Sequence, residues 1–200
     1  MFLGGSPQGL LDRLAKEDLR REILAARKLQ TESQVHAFSS NILKRLVNSN
    51  VYVSSRVVAL YCPFRNEVDL LALLREDEKT FVFPKVVKKT RKLDFYKVSS
   101  VNDLKSGAYG ILEPESSLEK VEISEIDLFA VPGVAFSKNG ERIGYGGGYY
   151  DCTLSFRKEN SVAVGIAFEM QIVDPGFSQE QDIPVDTVIT EENIYFCNNK

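Results

Sequence analysis

The 200-residue chain contains no Gly-Lys-Ser or Gly-Lys-Thr run, so it lacks the common phosphate-binding P-loop. The dinucleotide fingerprint is missing too, because Gly144-x-Gly146 is followed by Tyr149 where a third glycine belongs. Cysteine is scarce: Cys62, Cys152 and Cys197 are odd in number, widely spaced and in no metal-binding pattern, which favours a reducing compartment over a disulfide framework. Histidine is scarcer still, and the single His36 sits near the apolar face of a predicted helix, where packing is its natural use. Neither sign of charge dominates; a net charge of −3 and the absence of any RNA- or DNA-binding motif exclude an electrostatic case for nucleic acid. No apolar run is long enough to span a membrane, and Met1 to Gly9 is too short and glycine-rich for a signal peptide. The expectation is a cytoplasmic protein of one domain over residues 1–200, with a disordered tail over 1–9 and enough chain to bury a core unaided.

Helix and strand patterns alternate along the chain. Leu10 to Leu29 is rich in Leu, Ala, Lys, Arg and Glu and predicts a first helix. Thr31 and Gln34 form a capping-box pattern opening a second, whose Val35, Phe38, Ile42 and Leu46 share a face. Arg56 to Tyr61 predicts a strand broken by Cys62-Pro63, with a short helix over Glu67 to Arg75. Further strands are predicted over Thr80 to Pro84, Leu93 to Val98, from Ile126 to Val131, Ser161 to Phe168 and Asp186 to Thr190, with a helix over Tyr149 to Arg157. Connections of this length suit parallel crossovers, so the fold expected is α/β, a three-layer α/β/α sandwich with a largely parallel central sheet. Ligands in such folds sit beyond the carboxyl ends of the strands. The breaks after Tyr61, Pro84 and Val131 would then share one edge.

The most informative stretch is Arg142-Ile143-Gly144-Tyr145-Gly146-Gly147-Gly148-Tyr149-Tyr150-Asp151. Its glycines remove side chains where backbone N–H groups would close around an anion, and a carboxylate follows where a bound metal could sit. A glycine cluster also serves as a surface turn. Against that reading stand the three flanking tyrosines, unusual in flexible linkers, and Arg142, a fixed charge suited to phosphate.

With Pro132-Gly133-Val134-Ala135-Phe136 ahead of it, and Lys16-Glu17-Asp18-Leu19-Arg20, Phe83-Pro84-Lys85 and Asp182-Ile183-Pro184-Val185-Asp186 in order around it, this stretch resembles the 5-formyltetrahydrofolate cyclo-ligase family. The resemblance runs from about Lys16 to Thr190. It implies an enzyme that uses ATP and Mg2+ to convert 5-formyltetrahydrofolate to 5,10-methenyltetrahydrofolate, releasing ADP and phosphate. It further implies that Lys16 and Arg20 bind ATP phosphates, and that Arg142, Ile143, Gly144, Tyr145, Gly146, Gly147, Gly148, Tyr149 and Tyr150 cradle the triphosphate. Arg142 and Tyr149 would act in catalysis, and Asp151 and Asp182 would hold Mg2+. Cys62, Glu67, Lys85, Tyr145 and Tyr149 would meet the folate, with Lys85 reaching a polyglutamate tail and Asp186 structural. Some relatives have a basic residue at Tyr145, and many have His where this chain has Gln181.

Taken by themselves the same residues allow blander uses. Lys16 and Arg20 suit a solvated helix face, Glu67 and Asp151 suit helix starts, and the basic run from Lys85 to Lys92 suits a turn. Two rival functions remain at this point: a sugar-phosphate isomerase of similar architecture, and a non-catalytic reduced-folate storage protein.

Overall fold

In the computed structural model, residues 7–178 and 182–197 are described, with side chains from Leu14 onward. The helices are α1 (Pro7–Lys28), α2 (Glu32–Val47), α3 (Asn50–Ser54) and α4 (Tyr149–Leu154). The strands are β1 (Val57–Ala59), β2 (Thr80–Val87), β3 (Lys92–Lys97), β4 (Leu104–Ser106), β5 (Leu112–Pro114), β6 (Lys120–Val121) and β7 (Leu128–Pro132). After these come β8 (Ala135–Ser137), β9 (Arg142–Ile143), β10 (Val162–Ile166), β11 (Ile172–Val173), β12 (Thr187–Ile189) and β13 (Ile194–Phe196). Of the residues expected as a tail, Pro7 to Gly9 belong to α1, and 1–6 lie outside the described residues. No helix among the described residues is long and apolar enough to cross a membrane.

The expected α/β architecture with a large, mostly parallel sheet is present. Eight strands lie in the order β13-β12-β10-β7-β1-β2-β3-β6. The run β12-β10-β7-β1-β2 is parallel, while β13, β3 and β6 join antiparallel at the edges. Alternation along the strands sends Val58, Phe81, Phe83 and Leu128 into one apolar cluster with Ile42 and Leu46 of α2. It sends Ala59, Val82, Phe129 and Val131 into another with Leu154 of α4. The predicted capping box of α2 is formed: the Thr31 side chain accepts from Gln34 N–H, and the Gln34 side chain accepts from Thr31 N–H.

Two local expectations are corrected, and one connection is added. Glu67 to Leu70 is not helical, and only Leu71–Arg75 forms a 3-10 turn. Strand β2 does not stop at Pro84 but continues to Val87, because β1 ends opposite Val82 and proline is tolerated where no strand needs its missing N–H. The glycine stretch does not follow β7 directly: an antiparallel hairpin, β8 to β9, stands between them and forms a small sheet with β11.

That hairpin is seated on the main sheet through Phe136, which is fully buried. A Cβ on Gly133 would meet its ring at 2.6 Å, and a Cβ on Gly165 would also meet it at 2.6 Å. The ring fits only because both positions lack side chains. Helix α1 covers the hairpin from outside, with Leu19, Ile23 and Leu24 against Val134, Ala135 and Ile143.

Asp127 fixes the opposite, amino-terminal edge of the sheet. Its Oδ2 accepts from the N–H groups of Arg56 and Val57 at 2.8 and 2.9 Å, and its Oδ1 from Lys158 at 2.5 Å. Burial pushes this carboxyl up, but Lys158 and the two N–H groups outweigh it and hold the group below its ordinary value. A depressed carboxylate stabilises the folded state above its unfolded pKa and loses that contribution as pH falls through the folded value. Asp127→Asn should therefore cost about 1–2 kcal/mol in urea denaturation at pH 7, with the gap to the wild type closing below about pH 4. A gap that persists unchanged at low pH would show that charge is not what Asp127 contributes.

Candidate active site

A cleft of about 1430 Å3 opens at the carboxyl ends of β1, β2 and β7. Tyr61 and Cys62 follow β1, Pro84 and Val86 come from β2, and Pro132 ends β7. Residues 142–151 form one wall, and Lys16 and Arg20 reach in from α1. Every residue of the glycine stretch expected to hold a nucleotide, from Arg142 to Tyr150, lines this cleft. In the turn joining β9 to α4, Gly146 and Gly148 have φ of +92° and +67°, a region that L side chains enter only at a cost. A Cβ on Gly147 would meet the Tyr149 ring at 2.7 Å, and one on Gly144 would meet the end of the Arg142 side chain, Nη1, at 2.9 Å. Gly148 starts α4 with no side-chain cap, so the turn presents bare backbone to the cleft.

The charged residues singled out from the sequence pair with one another. Arg142 Nη2 donates to Asp151 Oδ1 at 2.7 Å, and Lys16 Nζ donates to Asp182 Oδ2 at 2.7 Å. Arg20 Nε donates to the Gly144 carbonyl at 2.9 Å, tying α1 to the turn. Asp151 Oδ1 also accepts from the Ile183 N–H at 3.2 Å. The guanidinium of Arg142 lies 5.6 Å from the Tyr150 ring centroid, and its buried Nε has no hydrogen-bond partner among the described residues. No group of three or more His, Cys, Asp or Glu side chains positioned for a metal occurs among the described residues. A metal here would rest on Asp151 and Asp182, both of which line the cleft.

On the other wall Glu67 is buried, with Oε2 accepting from the Phe64 N–H at 3.0 Å and Oε1 from the Tyr145 hydroxyl at 2.8 Å. Burial raises its pKa against the opposing pull of Arg27, Tyr145 and the Phe64 N–H. Tyr145 stands edge-on to Phe64, with ring centroids 6.1 Å apart. Tyr149 is hydrogen-bonded through its hydroxyl to that of Tyr109 at 3.2 Å.

Not every expected residue joins the group. Lys85 is absent from the cleft lining: Pro84 and Val86 face the cleft, and the alternating Lys85 donates through Nζ to the Pro114 carbonyl at 2.8 Å. Asp186 bonds Arg157 at 2.6 and 3.0 Å and the Ala163 N–H at 2.7 Å, a tie between strand and loop. Gln181 lies outside the described residues. Sequence reading also missed Arg27, a fully buried guanidinium bonded to the Tyr145 hydroxyl. Its signal was available: it falls eleven residues, three helical turns, after Lys16, and so on the stripe that carries Lys16 and Arg20.

Comparison with known proteins gives the family and the fold. Residues 12–191 match the 5-formyltetrahydrofolate cyclo-ligase family. The 5-formyltetrahydrofolate cyclo-ligase of Haemophilus influenzae is 28% identical over 180 residues, covering 87% of this chain and 96% of that protein. The NMR structure of the 5,10-methenyltetrahydrofolate synthetase of Aquifex aeolicus superposes with a TM-score of 0.80 at 35% identity, covering 92% of this chain and 94% of that one. A 5,10-methenyltetrahydrofolate synthetase from Mycoplasma pneumoniae gives a TM-score of 0.72 at 26% identity, covering 88% and 98%.

Cys62 is buried in the cleft wall, and burial first, with Asp69 and Glu113 adding to it, pushes its thiol up to about 12. A thiol held protonated in this way carries little of the thiolate on which cysteine reactivity depends. Iodoacetamide at pH 7.5 should leave Cys62 unmodified in the folded protein and label it only after denaturation, as read by peptide mass spectrometry. Labelling of native Cys62 at the rate of a free thiol would contradict this assignment.

Proposed function

The chain belongs to the 5-formyltetrahydrofolate cyclo-ligase family, and on that premise we propose that it converts 5-formyltetrahydrofolate to 5,10-methenyltetrahydrofolate at the expense of MgATP. The observation that carries this reading is the pair of contacts Arg142–Asp151 and Lys16–Asp182 at the glycine turn. Two cations and two carboxylates neutralise each other in the free cleft. With MgATP present Arg142 and Lys16 would be free to pair with phosphate oxygens, and Asp151 and Asp182 would be the residues to hold the metal. The unpartnered Arg142 Nε is a donor already stripped of water, which a phosphate oxygen would satisfy.

The chemistry asks for such a site. The N5-formyl oxygen is a poor leaving group. Transfer of the terminal phosphoryl group to that oxygen breaks the bond to ADP and gives an iminium phosphate. The N10 lone pair then attacks the formyl carbon, closing a five-membered ring; the C–O bond breaks, phosphate leaves and N10 loses its proton. Ring closure is intramolecular, so holding the folate folded supplies much of the acceleration. Phosphoryl transfer needs chiefly positioning and charge neutralisation. Lys16, Arg20, Arg142 and the backbone of residues 144–148 would hold the triphosphate, and Tyr149 would stand between nucleotide and folate. Asp151 and Asp182 are the hard oxygen donors that fit Mg2+, which takes few protein carboxylates and completes its shell with water and phosphate. The ion, when bound, neutralises charge on the transferring group.

On the folate side, Glu67 is the acceptor for N–H donors along the pterin edge, Cys62 forms part of the wall, and Tyr145 borders the ring. For a polyglutamate tail Arg91, which lines the cleft, is better placed than Lys85.

The direct test mixes the protein with 5-formyltetrahydrofolate and MgATP and follows absorbance of the methenyl product. ATP-dependent product is expected; tight folate binding without product would instead support the storage reading. Asp151→Asn retains the acceptor for Arg142 but removes the charge. It should leave folding intact and raise the Mg2+ concentration for half-maximal rate by about tenfold or more. An unchanged Mg2+ dependence would remove Asp151 from the site.

A further inference from the structure

Arg27 is the largest fully buried side chain outside the residues assigned to the reaction. Its guanidinium donates from Nε to the Arg65 carbonyl at 3.0 Å and from Nη1 to the Gly133 carbonyl at 3.3 Å. From Nη2 it donates to the Tyr145 hydroxyl, and that nitrogen stands 3.9 Å from Glu67 Oε1. A guanidinium only donates, so the Tyr145 oxygen accepts from Arg27 and its proton must point at Glu67. The result is a directed chain from Arg27 through Tyr145 to Oε1 of Glu67.

The turn that delivers Glu67 needs this support. Arg65 and Asn66 are consecutive non-glycine residues at φ of 51° and 56°. Such conformations persist where their surroundings over-determine them. Arg27 does so twice: its side chain holds the Arg65 carbonyl, and its own carbonyl accepts from Asn66 Nδ2 at 3.4 Å.

We propose that Arg27 is a positioning residue that, by bracing the 65–66 turn and fixing the Tyr145 hydroxyl, holds Glu67 oriented to accept hydrogen bonds from the reduced pterin. This rests on the folate-site reading above. Arg27 touches neither substrate and acts through two residues that do. Because Tyr145 belongs to the glycine turn, the same guanidinium links the folate wall to the nucleotide wall.

Loss of a merely structural arginine and loss of one that acts on Glu67 differ in their pH dependence. The groups facing Glu67 are Arg27 from α1, Tyr145 from the glycine turn, Tyr61 after β1 and Tyr150 from α4. Burial raises Tyr61 and Tyr150, so both stay neutral below pH 9. Arg27 is the one cation among them, and removing it raises the Glu67 pKa further. Folate binding should then suffer most at low pH and recover as pH rises and Glu67 ionises.

The test is calorimetric binding of 5-formyltetrahydrofolate to the full-length chain without nucleotide, at pH 6 and pH 9, with each variant expressed relative to wild type. Arg27→Met should bind about tenfold more weakly or worse at pH 6, with a smaller deficit at pH 9. Tyr145→Phe, which keeps the ring and the Arg27 contacts to backbone, should show the same trend at about fivefold. Glu67→Gln should be weak at both pH values. Equal deficits at the two pH values, or wild-type affinity in Tyr145→Phe, would overturn the proposal. If Arg27→Met does not fold, Tyr145→Phe decides by the same comparison. Absence of folate binding by the wild type would overturn the folate-site reading itself, a separate result.

Discussion

Everything in the cleft depends on how closely the β8–β9 hairpin approaches the main sheet. Phe136 is the contact, and Gly133 and Gly165 are the reason it fits. A methyl group at either glycine would force the ring outward, and with it β9, whose two residues are Arg142 and Ile143. The glycine turn hangs from β9, and α1 rests on the hairpin through Ile23. The spacing between the cations of α1 and the carboxylates beside the turn is therefore set by an aromatic ring between two positions without side chains.

Given that frame, the charged groups solve a desolvation problem. Arg27 and Arg142 are almost without solvent, and a buried guanidinium requires partners for its fork of donors. Arg27 has all of its partners within the folded chain. Arg142 has Asp151, and its Nε has no partner among the described residues. Both arginines meet the same turn from opposite flanks.

Much of this was legible in the residues. The capping box at Thr31 and Gln34, the apolar stripe of α2 and the β-branched strand runs carry strong local signals, and the structure forms them. The glycine stretch stood out by its composition, and the structure places Arg142 to Tyr150 on the cleft wall. What failed were places where tertiary context overrode local pattern. Glu67 read as a helix start, yet its carboxylate reaches back to the Phe64 N–H behind two left-handed residues, Arg65 and Asn66, of which only the asparagine carries a turn signal. Pro84 read as a strand end because the loss of its partner β1 at Ala59 cannot be seen locally. The hairpin strands β8 and β9 were too short for periodicity to register. Lys85 falls outside the cleft lining for the same reason: in a strand that continues past Pro84, alternation turns it away from its neighbours Pro84 and Val86. Arg27 went unremarked because pairing was sought one turn apart, not three.

The paired charges have a consequence for capture kinetics. Among the described residues that line the cleft, Lys16, Arg20, Arg65, Arg91 and Arg142 are balanced by Glu17, Glu67, Glu113, Asp151 and Asp182. A mouth of zero formal charge on a chain of net charge −3 projects little attractive field toward polyanions. Encounter is then left to unassisted diffusion, and selectivity among anions arises only at contact, when each incoming group must displace an internal counter-ion of its own sign.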